Sequence, residues 1–261
     1  MSRRTVLAGG GAAALAALIP GEASAHGRRR HKHRHRGRAV DLTHTFTTDF
    51  PTFTGTVTSR QTLVTIPANG FYAQQWSFGE HTATHLDVPG HFVTGGRLTP
   101  ELTLEELMLP IAVIDISRRA ARDPDAAVTP EDLRRYERRR GRIPKDALVA
   151  MNSGWAAKLG TPEFLGRDAS GTFHFPGFSA DAVDYLLDRG RGAALGVDTI
   201  SLDPGNSTTF PVHVNWLGAD HYGIESLAGL DDIPRAGAFA TVGVIPWQEG
   251  SGGPARVLAT Y

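Results

Sequence analysis

The chain has 261 residues and no cysteine, so no disulfide bond contributes to its stability. It carries 27 basic and 27 acidic residues, but nine of the basic residues and only one acidic residue precede residue 39. The remaining 223 residues carry 18 basic and 26 acidic side chains, a net charge of −8, which argues against a nucleic-acid-binding surface in that part of the chain.

Residues 1–25 have the organisation of a targeting signal. Arg3 and Arg4 precede an apolar stretch that is short for a membrane span, and small residues end it at 23–25. The pattern resembles a twin-arginine signal, a type that exports folded proteins. It predicts an exported protein, extracellular or in the cell envelope, with no stable membrane insertion after cleavage. An uncleaved anchor is the alternative.

Residues 26–38, HGRRRHKHRHRGR, contain seven basic residues, four histidines and no apolar side chain. Such a stretch cannot pack into a core, so we predict a disordered linker. Histidine-rich sequence can also bind metal loosely, and basic sequence can adhere to polyanions. Residues 39–261 are enough for one large domain.

Apolar and alternating segments predict strands within this domain, and capping residues predict helices between them. Thr129, Pro130 and Asp132 predict the start of one helix, and Ser179 predicts the start of another that ends by Gly190. This mixture favours an α/β fold. The predicted strands are 39–46, 63–66, 71–78, 111–116, 147–151, 193–200 and 238–245, and further helices are predicted over 102–109 and 212–219.

The stretch 81–92, HTATHLDVPGHF, has the composition of a metal site. His81, His85 and Asp87 offer two nitrogen donors and one oxygen donor, a set that suits zinc, manganese or iron and leaves positions free for water. Neither a straight helix nor a straight strand brings all three to one ion, so we expect a bent segment in which the small Ala83 leaves room. For each histidine alone, a hydrogen-bonded surface or core role is the alternative.

A second candidate pair is His213 and Glu225, which stand twelve residues apart. A short helix that opens at Pro211 would direct His213 inward together with Trp216. A turn after that helix could return the carboxylate of Glu225 to the same place. From the residues alone, His213 is equally a core histidine.

These motifs resemble those of the metal-dependent cyclase-like hydrolases, a family that includes bacterial kynurenine formamidase and isatin hydrolase. Its signature is HTGTHxDxPxHF, from which this chain departs only at Ala83, where glycine is usual. The family also has a histidine and a glutamate twelve residues apart near the C-terminal third. Further similar segments are VDLTH at 40–44, NSGW at 152–155, FPGFS at 175–179 and GVDTISLD at 196–203.

The resemblance covers roughly residues 39–261 and implies a single domain of the swivelling β/β/α type, with a mixed sheet and flanking helices. It implies that His81, His85 and Asp87 bind a divalent metal, zinc or manganese, and that His91 assists catalysis. Family members commonly form dimers or tetramers, so the resemblance also implies a homo-oligomer.

By the same resemblance, His213 and Glu225 belong to the metal site, which would hold one or two ions bridged by Asp87. Glu225 is then both a ligand and part of the catalytic group. A metal that lowers the pKa of bound water toward about 7 would supply the hydroxide that attacks an amide carbonyl. His91 would deliver a proton to the departing nitrogen.

The implied substrate is a small aryl formamide or cyclic amide, with N-formylkynurenine as the first candidate and isatin as the second. An export signal argues against a role in cytosolic tryptophan breakdown. Two other classes of function stay open. One is an exported metal-binding protein without turnover, and the other is an exported domain that attaches to polyanionic wall material through residues 26–38.

Two further predictions concern residues outside these motifs. By resemblance, Asp198 and Thr199 lie near the active centre, where the carboxylate could orient a ligand imidazole; an ordinary turn at a strand end is the alternative. Phe71, Trp76 and Trp155 are candidates for an aromatic substrate pocket, although aromatic residues are more often part of a core.

Overall fold

The structure, a computed structural model, describes residues 37–261. The predicted signal at 1–25 and all but the last two residues of the predicted linker lie outside the described residues. Within 37–261, no α-helix has the length and hydrophobicity required to cross a bilayer.

The described residues form strands, α-helices and short 3₁₀ helices in alternation. The strands are β1 (Ala39–Asp41), β2 (Ser59–Val64), β3 (Ala73–Ser77), β4 (His85–Asp87), β5 (Met108–Asp115), β6 (Ala127–Val128), β7 (Leu148–Asn152), β8 (Gly177–Phe178), β9 (Ala194–Val197), β10 (Tyr222–Glu225), β11 (Ala238–Val244) and β12 (Gly252–Thr260). The α-helices are α1 (Ile66–Asn69), α2 (Ser117–Ala120), α3 (Pro130–Arg140), α4 (Ala180–Asp188) and α5 (Pro211–Gly218). The 3₁₀ helices are Pro89–His91, Thr99–Glu101, Trp155–Lys158, Pro162–Phe164 and Leu230–Asp232.

Seven of the strands close into a barrel. Their order is β12, β11, β5, β7, β9, β10, β4, and β4 pairs again with β12 to complete the ring. Strands β5, β7, β9 and β10 are parallel to one another, whereas β4, β11 and β12 join them by antiparallel pairing. The prediction of an α/β domain with a mixed sheet and flanking helices is confirmed.

Strands β7, β9 and β10 are buried at every position, which explains why their sequences are predominantly apolar. In β7, Leu148 and Ala150 join a cluster that draws side chains from all seven barrel strands. Val149 and Met151 point the other way and pack with residues of α3, α4 and α5. The barrel therefore has an inner core and a second core beneath the helices.

The predicted helix starts are confirmed at α3 and α4. The Thr129 side chain accepts a hydrogen bond from the backbone N–H of Asp132, whose carboxylate accepts from the backbone N–H of Thr129. The Ser179 hydroxyl accepts from the N–H of Ala182 at the start of α4. Helix α5 begins at Pro211 and matches the predicted 212–219 within one residue at each end.

The helix predicted over 102–109 is wrong. The carboxylate of Glu106 accepts hydrogen bonds from the backbone N–H and hydroxyl of Thr103, which closes a turn, and Arg97 forms an ion pair with the same carboxylate at 2.9 Å. Strand β5 then begins at Met108. Leu102 and Leu107 pack against the inner core of the barrel from this turn, whereas Leu104 is exposed, so the segment does not need a helix to bury its apolar residues.

The predicted strand boundaries also shift near the N-terminus. The strand predicted over 39–46 ends as β1 at Asp41, where its pairing with β12 stops, and Thr43 forms an isolated bridge with Leu227 instead. In place of a strand over 63–66, β2 ends at Val64 and α1 follows. Strands β2 and β3 form a separate two-stranded antiparallel sheet outside the barrel.

Candidate metal centre

The local conformation of 81–87 places the first candidate ligands together. His85 and Asp87 lie at alternate positions of β4 and so project from the same face. Before the strand, Ala83 has φ of +60° and turns the chain so that His81 approaches the same point. The predicted bent segment is confirmed, and this left-handed conformation explains why glycine is the usual residue at position 83.

The donor atoms of the first group lie close together. His81 Nδ1 is 2.6 Å from Asp87 Oδ1, and His85 Nε2 is 3.2 Å from the same oxygen. His85 and Asp87 are buried, whereas 28 % of the His81 side chain is exposed. The two histidines therefore converge on one carboxylate oxygen at the base of an open cavity.

The second candidate pair, His213 and Glu225, lies next to the first donor group at the carboxylate of Asp87. His213 Nε2 is 3.4 Å from Asp87 Oδ2 and 3.1 Å from Glu225 Oε1. Strand pairing fixes Glu225, because β10 places it directly opposite His85 in β4. The expected turn before Glu225 is in fact strand β10.

Donors from His81, His85 and Asp87 form one group within 4.8 Å of one another, and donors from Asp87, His213 and Glu225 form another. Asp87 belongs to both groups and directs one oxygen to each. His85 Nε2 is buried and has no hydrogen-bond partner, although two carboxylate oxygens lie within 3.4 Å of it. An unpartnered buried nitrogen beside two carboxylates fits a divalent cation.

The electrostatics of the site also fit a cation. Burial by itself would lower the pKa of His85, but the negative charges of Asp87 and Glu225 raise it to about 9. The pKa of His213 is likewise raised, against burial, by its hydrogen bonds to Asp203, Asp87 and Glu225. The negative charge of the buried carboxylates must therefore be balanced by protons on the histidines or by a bound metal. Because protons and metal compete for the same groups, metal binding should weaken as the pH falls.

Each histidine ligand candidate is oriented by a partner on its other ring nitrogen. His85 Nδ1 lies 2.9 Å from the carbonyl oxygen of Ala83. His213 Nδ1 lies 2.6 Å from the buried carboxylate of Asp203, which also accepts the backbone N–H groups of residues 212 and 213 at the start of α5. Asp203 was missed from sequence, although it ends the similar segment GVDTISLD and a carboxylate there was a usable indication.

The ligand candidate His81 has a different kind of partner. Its Nε2 lies 3.1 Å from the hydroxyl of Ser251, which donates to Glu80 at 2.7 Å. The approach of His81 requires glycine at 252, because a Cβ atom there would lie 2.6 Å from His81 Cε1. Ser251 and Glu80 were also missed, since they lie 171 residues apart and neither belongs to a metal-ligand pattern.

His91 lies beside the donor groups and belongs to neither of them. It ends the 3₁₀ helix Pro89–His91, and its ring stacks on His81 with centroids 3.8 Å apart. Burial lowers the pKa of His91 to about 4, so the imidazole is neutral at neutral pH.

A cavity of about 550 Å³ opens above these residues, and one side of it is aromatic. Phe53, Phe92 and Phe210 form that side, and Phe92 stacks on His213 with centroids 4.7 Å apart. Ala83 and Ile200 add apolar surface. The cavity has the size and lining of a small-molecule site.

The aromatic residues predicted for the pocket are not those that form it. Phe71 is 59 % exposed on the segment between β2 and β3. Trp76 packs edge-on against Phe46, and Trp155 is buried in an apolar cluster with its indole N–H donating to the carbonyl of Phe164. The prediction of an aromatic pocket was right, but its residues were wrong.

Asp198 does not orient a ligand. Its buried carboxylate accepts hydrogen bonds from the backbone N–H groups of Ser153 and Trp155 and from the Ser153 hydroxyl. Burial raises the pKa of Asp198 to about 6. The hydroxyl of Thr199 donates to the carbonyl of Ser201. The strand-end alternative is therefore correct for this pair.

Comparisons with known proteins agree with the fold and the motifs. An isatin hydrolase from Roseibium aggregatum is 35 % identical over 200 residues, covering 72 % of this chain and 75 % of the relative. A kynurenine formamidase from Salinibacter ruber is 28 % identical over 154 residues, covering 59 % of this chain and 63 % of the relative. The structure of isatin hydrolase A from Labrenzia aggregata bound to benzyl benzoate superposes with a TM-score of 0.80 at 32 % identity, covering 85 % of this chain and 93 % of that one.

An α/β barrel that carries convergent histidine and carboxylate donors beneath a partly aromatic cavity fits a metal-dependent hydrolase. The family model described as putative cyclase matches residues 40–204, more than half of the chain. The chain belongs to this family, and it is an enzyme of the metal-dependent amidohydrolase class.

Proposed function

We propose that this enzyme hydrolyses the amide C–N bond of a small aryl formamide or cyclic amide. The observation that carries the proposal is the pair of donor groups joined at Asp87 beneath an aromatic cavity, with the neutral imidazole of His91 at its edge. The similarity to isatin hydrolases and kynurenine formamidases supports this substrate class.

The cavity residues have different roles in the proposed reaction. The rings of Phe53, Phe92 and Phe210 bind the aromatic part of the substrate and exclude water from that side. His91 accepts a proton from the attacking water and passes it to the nitrogen as the C–N bond breaks. The donor groups would hold a divalent ion, which would supply Lewis acidity when bound.

The donor set leads us to propose zinc or manganese as the metal, with one or two ions bound. His81, His85 and Asp87 provide the first set of ligands, and His213 and Glu225 complete a second set through Asp87. Glu225 also acts in catalysis, because its carboxylate lies between His85 and His213 at the reaction centre.

Hydrolysis of isatin and of N-formylkynurenine tests the proposal, with the full chain assayed before and after treatment with a chelator. Product formation that stops on chelation and returns with zinc or manganese would support it, and the relative rates would select the substrate. The matched control is His85→Ala, which removes one donor but keeps the histidine-rich tract. Equal rates in the variant would contradict the proposal.

The same assay separates the other two classes of function. A metal-binding protein would bind zinc or manganese but would hydrolyse neither compound. A wall-binding domain would lose its attachment to polyanions when residues 26–38 are deleted, whereas the enzyme described here would keep its turnover.

We also propose that the protein is exported, on the basis of Arg3, Arg4 and the apolar stretch that follows them. Replacing both arginines with lysine should retain the protein in the cytoplasm. Fractionation of cells that express the wild type and the variant would test this, and equal export of both would contradict it.

We propose a homo-oligomer formed through residues 57–78, which we call the apolar arm. The arm contains β2, α1 and β3, and several large apolar side chains on it are more than half exposed. A two-stranded sheet is marginally stable alone, and exposed apolar surface of this kind is typical of an interface. The exposed residues are Val57, Leu63, Ile66, Phe71 and Tyr72.

A further inference from the structure

The wall of the active-site cavity carries a carboxylate that the metal donor groups do not include. Asp87 and Glu225 are buried and belong to those groups. Glu80 also lines the cavity, and its side chain is 42 % exposed. Within the range 37–261, no lysine or arginine lines this cavity to balance Glu80.

Hydrogen bonds hold the Glu80 carboxylate in place. The hydroxyl of Ser251 donates to Glu80 Oε2 at 2.7 Å, and the backbone N–H of Ser251 donates to the same oxygen at 3.1 Å. This oxygen is 3.9 Å from Nε2 of His81, whose other ring nitrogen faces Asp87. The negative charge of Glu80 is therefore held close to the metal donor atoms, with the imidazole ring of His81 between them.

The aromatic part of the cavity lining offers a substrate no charge at all. Phe53, Phe92 and Phe210 present aromatic rings there, and Ile200 adds an aliphatic surface. A flat ring can bind against these side chains without losing a hydrogen bond. A substrate with an additional negative group would bring that group near Glu80, whose charge no lysine or arginine of the cavity lining balances.

We propose that Glu80 is a specificity-determining residue that favours uncharged aromatic amides over amides that carry a negative group away from the reacting carbonyl. This inference rests on the proposed hydrolysis at the same site and narrows its substrate class. Because Glu80 is partly exposed, solvent and salt screen its repulsion. We therefore expect discrimination of about tenfold rather than complete exclusion.

The same charge acts on the product. When water adds to a cyclic amide and the C–N bond breaks, the carbonyl carbon becomes a carboxylic acid, which loses its proton at neutral pH. The product is therefore an anion even when the substrate is neutral. Repulsion from Glu80 weakens the binding of this anion and favours its release.

The test compares isatin with isatin-5-sulfonate, which has the same reacting ring and one added negative charge. We would measure kcat/KM for both compounds with the metal-loaded full chain of the wild type, Glu80→Gln and Glu105→Gln. Glutamine keeps the oxygen that accepts from Ser251, so this substitution removes charge without removing the hydrogen bond. Glu105 is exposed and does not line the cavity, which makes it the charge-matched control.

The wild type should prefer isatin, and Glu80→Gln should raise the relative kcat/KM for the sulfonate at least fivefold. Glu105→Gln should leave the ratio of the wild type unchanged, and inhibition by the carboxylate product should become stronger only in Glu80→Gln. An unchanged ratio in Glu80→Gln would overturn the inference. Glu80→Ala provides the same comparison if the glutamine variant does not accumulate.

Binding measurements keep this inference distinct from the proposed reaction. If the wild type hydrolyses neither of these compounds nor N-formylkynurenine, the proposed function fails, but calorimetry with oxindole and its 5-sulfonate still measures the charge preference. Tighter binding of oxindole to the wild type, and loss of that preference in Glu80→Gln, would support the role of Glu80. Equal binding of both compounds to the wild type would overturn it.

Discussion

His91 illustrates how position separates a proton carrier from a metal ligand within one short motif. Its ring stacks on His81, but it belongs to neither donor group. Burial lowers its pKa to about 4, which keeps it neutral where the reaction would run. The role proposed for it therefore differs from that of the two histidines just before it in the chain.

Replacing His91 with alanine should lower kcat about 100-fold or more, because a positioned acid or base contributes at least that much. The metal content should stay at the wild-type value, since no donor is removed. Elemental analysis and kinetics on the same preparation would check both. A parallel loss of metal and turnover would instead make His91 a ligand.

Asp203 is a positioning residue for His213. Replacing it with asparagine should weaken metal affinity about 10- to 100-fold, because the imidazole loses its charged partner and its orientation. Competition with a chromophoric chelator would measure the affinity. Asp198→Asn is the matched control, because Asp198 is equally buried but bonds to Ser153 and Trp155. Similar affinities for wild type and Asp203→Asn would contradict the assignment.

Among the elements, β9 is the barrel strand whose C-terminal end is hydrogen-bonded to the loop that carries Trp155. Asp198 follows this strand and accepts the N–H groups of that loop. Burial raises its folded-state pKa from 3.8 to about 6. The folded protein therefore keeps a proton on Asp198 at pH values where the unfolded chain has lost it, and this group stabilises the fold most below pH 4.

The free energy of unfolding should therefore fall by at most about 3 kcal/mol as the pH rises from 4 to 6, because the contribution of Asp198 is lost. Denaturant unfolding at several pH values, with a chelator present throughout, would measure it. Asp198→Asn should lack this part of the pH dependence. Parallel stability profiles for wild type and variant would show that Asp198 does not titrate in this range.

The elements that sequence predicted well are those whose cause is local. Thr129 and Ser179 mark their helices because a cap acts within three residues. The motif at 81–92 was recognisable because its donors lie in one short segment. By contrast, residues 102–109 have a helical pattern, but Arg97 and Thr103 hold Glu106 in a turn.

Features that depend on distant pairing were not predictable in the same way. Strand β12 is absent from the predicted strands; it begins with Gly252, Gly253 and Pro254 and closes the barrel by pairing with β4. The contact between Glu80 and Ser251 depends on this closure. The aromatic side of the cavity likewise joins Phe53 and Phe210 from separate loops.

At the scale of the whole molecule, the apolar arm exposes large apolar side chains that the barrel does not bury. Replacing Leu63 and Phe71 together with serine should convert an oligomer to a monomer, since each is more than half exposed and would lose a partner surface. Light scattering after size exclusion would give the mass. Leu104→Ser is the matched control, because Leu104 is 74 % exposed but lies outside the arm. An equal mass for the wild type and the arm variant would contradict the proposed interface.

In the proposed function, the donor groups joined at Asp87 hold the metal that makes this protein a hydrolase. The most direct test is to remove metal from the full chain, add zinc or manganese back in steps, and follow bound metal and isatin hydrolysis together. His85→Ala should be measured in parallel to account for metal on residues 26–38. We predict that hydrolysis rises from zero in proportion to one or two equivalents bound beyond those in the variant. Full hydrolysis without metal, or equal tight binding by the variant, would contradict the account.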